Sequence, residues 1–229
     1  MPICFASAAS ELKDKIPDAG VISSLPTSKV DQQFIESLKS AANFSDYQVG
    51  CRLFTQKEEG WKAFGGAQLY YKQKSLIRAV IKSSDYRDGS VVVKEPDGSI
   101  KGRGGGLLRS IKMNIEPDSR TIRLPTGYSL TSSDFNSLYE ALKANITKGF
   151  VATATSSGVN IKLFKDPVQV LVINSGVGSE KKISEVIFID PHSKLPLAWN
   201  TYKDGKPNAL VFFEGLVSNK GLSDDLFHI

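Results

Sequence analysis

The last third of the chain is built from short apolar runs separated by turn residues, and this pattern constrains the fold more than any other feature. The runs recur roughly every ten residues and are rich in Val, Ile and Phe. They read VATAT, VNIKLF, VQVLVIN, EVIFID, LAWNTY and ALVFFEGLV. SSG, KDP and KDGKPN are among the turn sequences between them. Short strands at this spacing are typical of antiparallel sandwiches and barrels.

The middle of the chain, residues 61–124, predicts an antiparallel meander. Residues 67–83 fit a helical face tolerably, but their Tyr, Ile and Val content and their turn-rich flanks favour a strand. The stretch EPDGS at 95–99 predicts a hairpin turn, because Pro sets φ and Asp-Gly tolerates a positive φ. Strands are predicted on its far side at 107–115 and 121–124.

Two segments predict amphipathic helices, at about 29–43 and 132–147. The first follows a capping-box pattern, Ser28 to Asp31, and places Phe34 and Leu38 on one face. The second carries an apolar stripe that includes Phe135, Leu138 and Leu142, and Gly149 follows its end. Residues 1–27 are small and polar with several Pro residues, which predicts an N-terminal arm.

We therefore predict an α+β fold that is mainly antiparallel β, either an OB-like barrel or a sandwich, with two helices. No stretch has the composition of a flexible linker, so residues 28–229 are predicted to form a single domain. The total of 229 residues is ample for a hydrophobic core.

The cysteine content and the hydropathy of the chain indicate the cellular compartment in which the protein is expected. No apolar run approaches the roughly 18–20 residues that cross a bilayer, and no basic residue precedes the apolar ICFASAA. Cys4 and Cys51 belong to no C-x-x-C pair, which favours free or buried thiols. These features predict a cytoplasmic protein, with the cytoplasm or nucleus of a host cell as the alternative, and no cofactor, metal or membrane partner.

The positive charge of the chain lies in its middle. Residues 62–123 contain 13 Lys and Arg against 6 Asp and Glu, whereas residues 1–61 carry a net charge of −2 and residues 124–229 are neutral. Aromatic residues lie among these cations. Lys and Arg attract phosphates, and bases stack on aromatic rings, so the segment predicts a surface that binds single-stranded nucleic acid. The alternative is an ordinary solvated sheet face with core aromatics.

The residues predicted to bind nucleic acid are Trp61, Tyr70, Tyr71, Lys72, Lys74, Arg78, Lys82, Lys101, Arg103, Arg109, Lys112, Arg120 and Arg123. Within them, KGRGGG at 101–106 lacks the P-loop pattern, and it fits either a mobile basic loop or a structural hairpin or bulge.

The C-terminus reads SDDLFHI, and residues 222–229 form a short acidic and aromatic tail. It resembles the tails by which many single-stranded DNA-binding proteins contact partners, which implies a protein partner for Asp224, Asp225 and Phe227. A docked terminus is the alternative.

Catalytic patterns are weak, because the two histidines lie in a Pro-His turn and next to the C-terminus. We therefore predict a non-enzymatic nucleic-acid-binding protein, with a second copy of the chain as a further candidate partner in a homo-oligomer. One alternative is a structural or assembly protein, such as a virion component. Another is a nuclease that uses carboxylate-bound metal.

Overall fold

The structure is a computed structural model that describes residues 12, 15–83, 87–176 and 181–229. The helices with described bounds are α1 (Ala19–Ser23), α2 (Gln32–Ala41) and α3 (Phe135–Thr147). The strands are β1 (Thr27–Lys29), β2 (Asp46–Lys57), β3 (Gly60–Lys72), β4 (Leu76–Lys82), β5 (Val91–Lys94), β6 (Ile100–Arg103), β7 (Lys112–Asn114), β8 (Val151–Thr155), β9 (Gln169–Ser175), β10 (Lys182–Ile189), β11 (Pro196–Lys203) and β12 (Lys206–Ser218).

The strands hydrogen-bond in the order β1-β8-β9-β10-β11-β12-β2-β3-β4-β5-β6-β7, and the strand pairs with described register are antiparallel. The predicted α+β fold dominated by antiparallel β is therefore confirmed. The OB-like barrel is wrong, because an OB fold is a five-stranded Greek-key barrel. A two-sheet sandwich is also absent from the described strands, which follow one another within a single hydrogen-bonding order.

Both predicted helices are present, with shorter bounds. Helix α2 begins after Asp31, whose side chain accepts a hydrogen bond of 3.0 Å from the backbone N–H of Phe34. Ser28 lies in β1 instead, so Asp31 caps the helix rather than closing a capping box. Helix α3 starts at Phe135, because residues 130–132 ahead of it form a separate 3-10 turn.

Several predicted strands are wrong in detail. Residues 67–83 form two strands, β3 and β4, joined by a turn in which Lys74 and Ser75 adopt positive φ. Only residues 112–114 of the predicted strand 107–115 are extended in the sheet, and residues 120–122 form a 3-10 turn where a strand was predicted at 121–124. The run VNIKLF contributes just one bridge, between Val159 and Val168. The hairpin turn at 95–99 is present, with Gly98 at positive φ.

Contacts divide the chain into two compact units, and β2, β3 and β12 contribute residues to both. Unit 1 comprises residues Met1–Ala42, Leu53–Phe64 and Phe135–Phe212, and unit 2 comprises Asn43–Arg52, Gly65–Asp134 and Phe213–Ile229. Each unit has its own buried apolar cluster. The single domain over residues 28–229 stays a prediction.

In unit 1 the central strands β9, β10 and β11 are buried along most of their length. Helix α3 packs on one face, where the rings of Tyr139 and Trp199 lie 5.9 Å apart. Helix α2 packs beside α3, and ion pairs from Glu36 to Lys143 and from Lys39 to Glu140 join the two helices. Because both faces of these strands are apolar, the opposite face needs a cover of its own.

In unit 2 the C-terminal segment is docked on the sheet. The ring of Phe227 is fully buried in a cluster with Leu76, Val91 and Val93. Upstream, the buried carboxylate of Asp46 accepts hydrogen bonds from the backbone N–H groups of Lys220 and Gly221 at 2.8 and 3.0 Å, which holds the start of this segment. The C-terminal residues are therefore part of the fold.

The burial of Phe227 predicts a large effect on stability. Phe227→Ala should lower the free energy of unfolding by about 3–5 kcal/mol, because it removes a buried ring and leaves a cavity. His228→Ala is the matched control, since the neighbouring His228 side chain is half exposed and should change stability by less than about 0.5 kcal/mol. Urea titration followed by circular dichroism measures both. Equal stabilities for the two variants would contradict the docked position.

Candidate functional site

The cations predicted to bind phosphates do not form a free basic face. Lys72 donates hydrogen bonds of 2.6 Å to the backbone oxygen of Leu222 and to the carboxylate of Asp224. Arg78 donates to the backbone oxygen of Leu226 at 3.0 Å. The C-terminal segment thus covers the face of β3 and β4 that carries Lys72 and Arg78, two of the residues predicted to bind nucleic acid. Tyr70 packs against the apolar cluster of unit 2.

The remaining predicted residues are dispersed in several environments. Lys101 pairs with the buried Glu95 at 2.6 Å, and that hydrogen bond raises the pKa of Lys101. Arg103 has a buried Nε atom. Exposed positions in turns and loops or at strand ends hold Lys74, Lys82, Arg109, Lys112, Arg120 and Arg123.

Two of the three aromatic residues predicted to stack on bases, Trp61 and Tyr71, lie in the core. Trp61 is 9% exposed and belongs to the apolar cluster of unit 1. Tyr71 is 5% exposed and stacks on Tyr47 with ring centroids 5.0 Å apart. Neither ring is available to a nucleotide. Tyr86, which also lies among the cations, is outside the described residues.

The predicted partner tail is not exposed as a unit. Phe227 is buried, and Asp224 pairs with Lys72, whose hydrogen bond lowers the pKa of this carboxyl. Asp225 is exposed in a short 3-10 turn over residues 224–227. A docked terminus, the alternative interpretation of SDDLFHI, is what the structure shows.

Unit 1 holds a different site, on the sheet face opposite α3. Val170 and Val172 of β9, Val186 and Phe188 of β10, Ala198 of β11 and Leu210 and Phe212 of β12 belong to one apolar cluster. They lie beside one another across the strands, since Val172 pairs with Val186 and Ala198 pairs with Phe212. This surface will be called the ligand face.

Short irregular segments cover the ligand face. Helix α1 has five residues, and its buried Ile22 inserts into the cluster while Ile16 and Leu25 pack at its edges. The loop that contains the Val159–Val168 bridge adds Phe164, whose ring centroid lies 5.2 Å from that of Phe188. The side chain of Asp18 caps α1 by accepting from the N–H of Val21 at 2.8 Å. A five-residue helix contributes little stability of its own, so this cover is held by its apolar contacts.

A cleft of about 390 Å³ opens between α1 and the strands β9 and β10. Its volume lies within the range of small-ligand sites. Its apolar lining comes from Ala19, Ile22, Val172 and Ile183. Its polar lining comes from Ser23, Thr27, Asn174, Lys181 and Lys182, and Gly205 completes it. The two lysines are exposed, whereas Val172 and Ile183 are buried, so the lining combines exposed cations with buried apolar groups.

Two polar side chains of β11 face the same apolar cluster without a hydrogen-bond partner in the described part of the chain. Asn200 is 0% exposed, it lies between Val186 and Leu210 across the strands, and neither its Nδ2 nor its Oδ1 atom is bonded. The buried hydroxyl of Tyr202 is also unbonded, and burial, with the nearby carboxylate of Asp18, raises the pKa of this phenol. Such groups cost free energy unless a ligand or a water satisfies them.

On the opposite face of the sheet, a buried polar group is hydrogen-bonded within the protein. Glu185 accepts a hydrogen bond of 2.6 Å from the indole N–H of Trp199 and a longer one of 3.4 Å from Asn145 on α3. Glu185 and Asn200 thus differ, because the strand carboxylate on the α3 face is hydrogen-bonded and the strand amide on the ligand face is not, while the buried hydroxyl of Tyr139 on α3 is also unbonded.

Hydrogen bonding and burial account for the shifted pKa values of Asp190 and Cys51. Asp190 accepts hydrogen bonds from the backbone N–H groups of Ser193 and His192. These hydrogen bonds lower the pKa of Asp190 and give its carboxylate a structural role in the turn. No cluster of three metal-ligating side chains occurs within the described ranges. Burial raises the pKa of the Cys51 thiol to about 12. Cys4 lies outside the described residues.

The fold was compared with known proteins. The chain matches no family profile and no curated protein. It is similar to the solved structure of MucB, with a TM-score of 0.51 and 12% identity over 86% of this chain and 62% of the MucB chain. It is also similar to a LolA superfamily protein from Nitrosomonas europaea (TM-score 0.43, 11% identity, 87% of this chain and 98% of that one).

A third similar structure is a putative outer membrane lipoprotein-sorting protein domain from Vibrio parahaemolyticus. Its TM-score is 0.41, and it is 9% identical over 86% of this chain and 95% of its own. At these identities the comparison concerns the fold. No helix in the described ranges has both the length and the hydropathy needed to cross a membrane.

These findings overturn the predicted function. The prediction of a single-stranded nucleic-acid-binding protein is wrong, because the fold is similar to that of MucB rather than to an OB fold and because the described basic and aromatic residues form no open binding surface. The viral-like alternative is wrong on the same ground. The predicted location in the cytoplasm or nucleus is also wrong.

The unbonded amide of Asn200 predicts an unusual response to substitution. Asn200→Leu should leave the free energy of unfolding unchanged or raise it by about 2 kcal/mol, because it replaces a buried unsatisfied group with an apolar one of similar volume. Glu185→Leu on the opposite face is the control, and it should lower stability by about 1–3 kcal/mol because it leaves the Trp199 N–H unbonded. Thermal unfolding monitored by calorimetry distinguishes them. A clear loss of stability in Asn200→Leu would show that the amide is satisfied within the protein.

Proposed function

We propose that this chain binds an amphiphilic molecule with an apolar chain and an anionic head group, in the cleft beside α1. The observation that carries the proposal is the combination of a buried apolar lining and exposed cations in that cleft. Ile22, Val172 and Ile183 belong to the apolar lining, and the exposed Lys181 and Lys182 form what will be called the mouth. Fatty acids and acidic lipids have this arrangement of an apolar chain and a negative head group.

The ligand face supplies the remainder of the site. An apolar chain that enters below Ile22 meets valine and phenylalanine side chains on β9 and β10, where removal of water from apolar surface favours binding. Each additional buried CH₂ group contributes about 0.8 kcal/mol. The amide of Asn200 and the hydroxyl of Tyr202 are polar groups on this face that can orient a carbonyl or hydroxyl carried by the ligand.

Opening of the cover provides the route of entry. The short helix α1 covers the cluster mainly through Ile22, with the Asp18 cap as its local hydrogen bond. Elements with few buried contacts open at a lower free energy than the sheet beneath them. A ligand that occupies the cleft therefore displaces α1 rather than the strands, and the sheet keeps its register.

Direct binding to a fluorescent long-chain fatty acid tests the proposal. The wild-type chain should bind it saturably, and Lys181→Ser with Lys182→Ser should raise the dissociation constant by about tenfold, because two attractive charges at the mouth are lost. Lys57→Ser with Lys148→Ser is the matched control, since it removes the same charge from exposed positions of unit 1 outside the cleft lining. The corresponding fatty alcohol should distinguish wild type from the Lys181 and Lys182 variant much less.

Two results would refute amphiphile binding in this cleft. One is the absence of saturable binding to the wild-type chain. The other is an equal loss of affinity in both lysine variants, which would indicate a response to net charge rather than to the mouth. Competition by an unlabelled fatty acid separates specific occupancy from adsorption of the probe.

A further inference from the structure

A second apolar feature lies in unit 2, at the loop between β6 and β7. Leu107 is 99% exposed, and Leu108, Ile111 and Met113 are each about half exposed. These are four of the six large apolar side chains with high exposure in the described residues. Residues 104–113, which comprise this loop and the first two residues of β7, will be called the Leu107 tip. They belong to unit 2, whereas the cleft lies in unit 1.

Backbone hydrogen bonds within the Leu107 tip define a series of turns. The backbone N–H of Leu108 donates to Gly105, that of Ile111 donates to Leu108, and that of Gly104 donates to Ile111, at 2.9, 2.9 and 3.2 Å. Its base is tightly packed, since a Cβ atom on Gly105 would lie 1.9 Å from the backbone oxygen of Asp88. The glycine run thus serves close packing at the base, and the apolar side chains project from a fixed support.

Charge accompanies the apolar side chains and has one sign. Between residues 101 and 115 there are four basic residues and no acidic one. Lys101 pairs with Glu95, whereas the exposed Arg109 and Lys112 make no ion pair in the described part of the chain. Contiguous exposed apolar side chains on a protein surface mark an interaction site.

We propose that the Leu107 tip inserts into the surface of an anionic lipid bilayer. Leu107, Leu108, Ile111 and Met113 would enter the boundary of the acyl chains, and Arg109 and Lys112 would lie at the level of the phosphates. Apolar side chains flanked by Lys and Arg are the features that hold interfacial segments at membranes. The internal hydrogen bonds of the tip reduce the number of backbone groups left unsatisfied at the interface.

The charge pattern favours a lipid surface over a second copy of this chain. Two Leu107 tips packed against each other would bring four exposed cations together without a described carboxylate in either tip to compensate them. An anionic lipid surface supplies the opposite charge, and it also accommodates a small set of apolar side chains without a shaped pocket.

Vesicle co-sedimentation of the full chain tests the inference. The wild type should bind vesicles of phosphatidylcholine with 30% phosphatidylglycerol and should bind pure phosphatidylcholine more weakly. Leu107→Ser with Ile111→Ser should reduce the bound fraction strongly at every salt concentration. Arg109→Ser with Lys112→Ser should weaken binding to the anionic vesicles by roughly tenfold or more, and the remaining binding should depend less on salt.

The controls separate this site from general adhesion and from the cleft. Leu107→Met with Ile111→Leu keeps the tip apolar and should bind as wild type does. Lys57→Ser with Lys148→Ser removes two exposed charges elsewhere and should also bind as wild type does. The Lys181 and Lys182 variant should sediment normally, so failure of amphiphile binding in the cleft would leave this result unchanged.

Three outcomes would overturn the inference. The wild type could fail to bind anionic vesicles at low salt, or the serine variant of Leu107 and Ile111 could bind as well as the wild type. Light scattering could also show a dimer that the same serine variant dissociates, which would make a second copy the occupant of the tip. Circular dichroism spectra that match the wild type confirm that the variants are folded.

Discussion

A sheet that is apolar on both faces must be covered on both, and unit 1 depends on how that requirement is met. One face of the central strands is covered by α3, a helix of 13 residues with four buried side chains. The other receives a five-residue helix and an irregular loop. Apolar side chains are buried on both faces of the sheet. The cover on the α3 face is a regularly hydrogen-bonded helix, whereas the cover on the other face is mostly irregular.

The same asymmetry appears in the polar groups. On the α3 side, Glu185 and the Trp199 indole satisfy each other across neighbouring strands, and Asn145 adds a contact from the helix. On the opposite side, Asn200 stands in an apolar row with both amide atoms unbonded. A protein that required only a stable core would gain from an apolar residue there. The amide is accounted for if that face has a partner beyond the protein.

The sequence predicts the local structure well where a single run determines it. The continuous apolar run VQVLVIN became β9, and the stripe through Phe135, Leu138 and Leu142 became α3. Prediction failed where a turn carries no glycine or proline, as at Lys74 and Ser75, which adopt positive φ and divide one predicted strand into two. The backbone conformation there is set by the pairing of β3 with β4, which a local pattern does not contain.

The function prediction failed for a related reason, because net charge counted along the chain ignores partners distant in sequence. Lys72 pairs with Asp224 across 152 positions, and Arg78 binds the backbone of Leu226, so a C-terminal segment covers the apparent binding face. The cleft could not be predicted from the sequence either, because its lining residues are far apart along the chain. They come from residues 19–27, from β9, from residues 181–183 and from Gly205. The buried, unbonded state of Asn200 could not be predicted either, because the sequence LAWNTY is typical of an ordinary strand.

The ends of the strand order have a consequence for solubility. The first and last strands, β1 and β7, have only three residues each, although β3 and β12 have thirteen. An outermost strand has unpaired N–H and C=O groups that can pair with a strand of another molecule. A short edge strand with charged residues, such as Lys29 in β1 and Lys112 in β7, limits this pairing. A mostly antiparallel protein can thus keep long strands in the middle of its sheet and still resist edge-to-edge polymerisation.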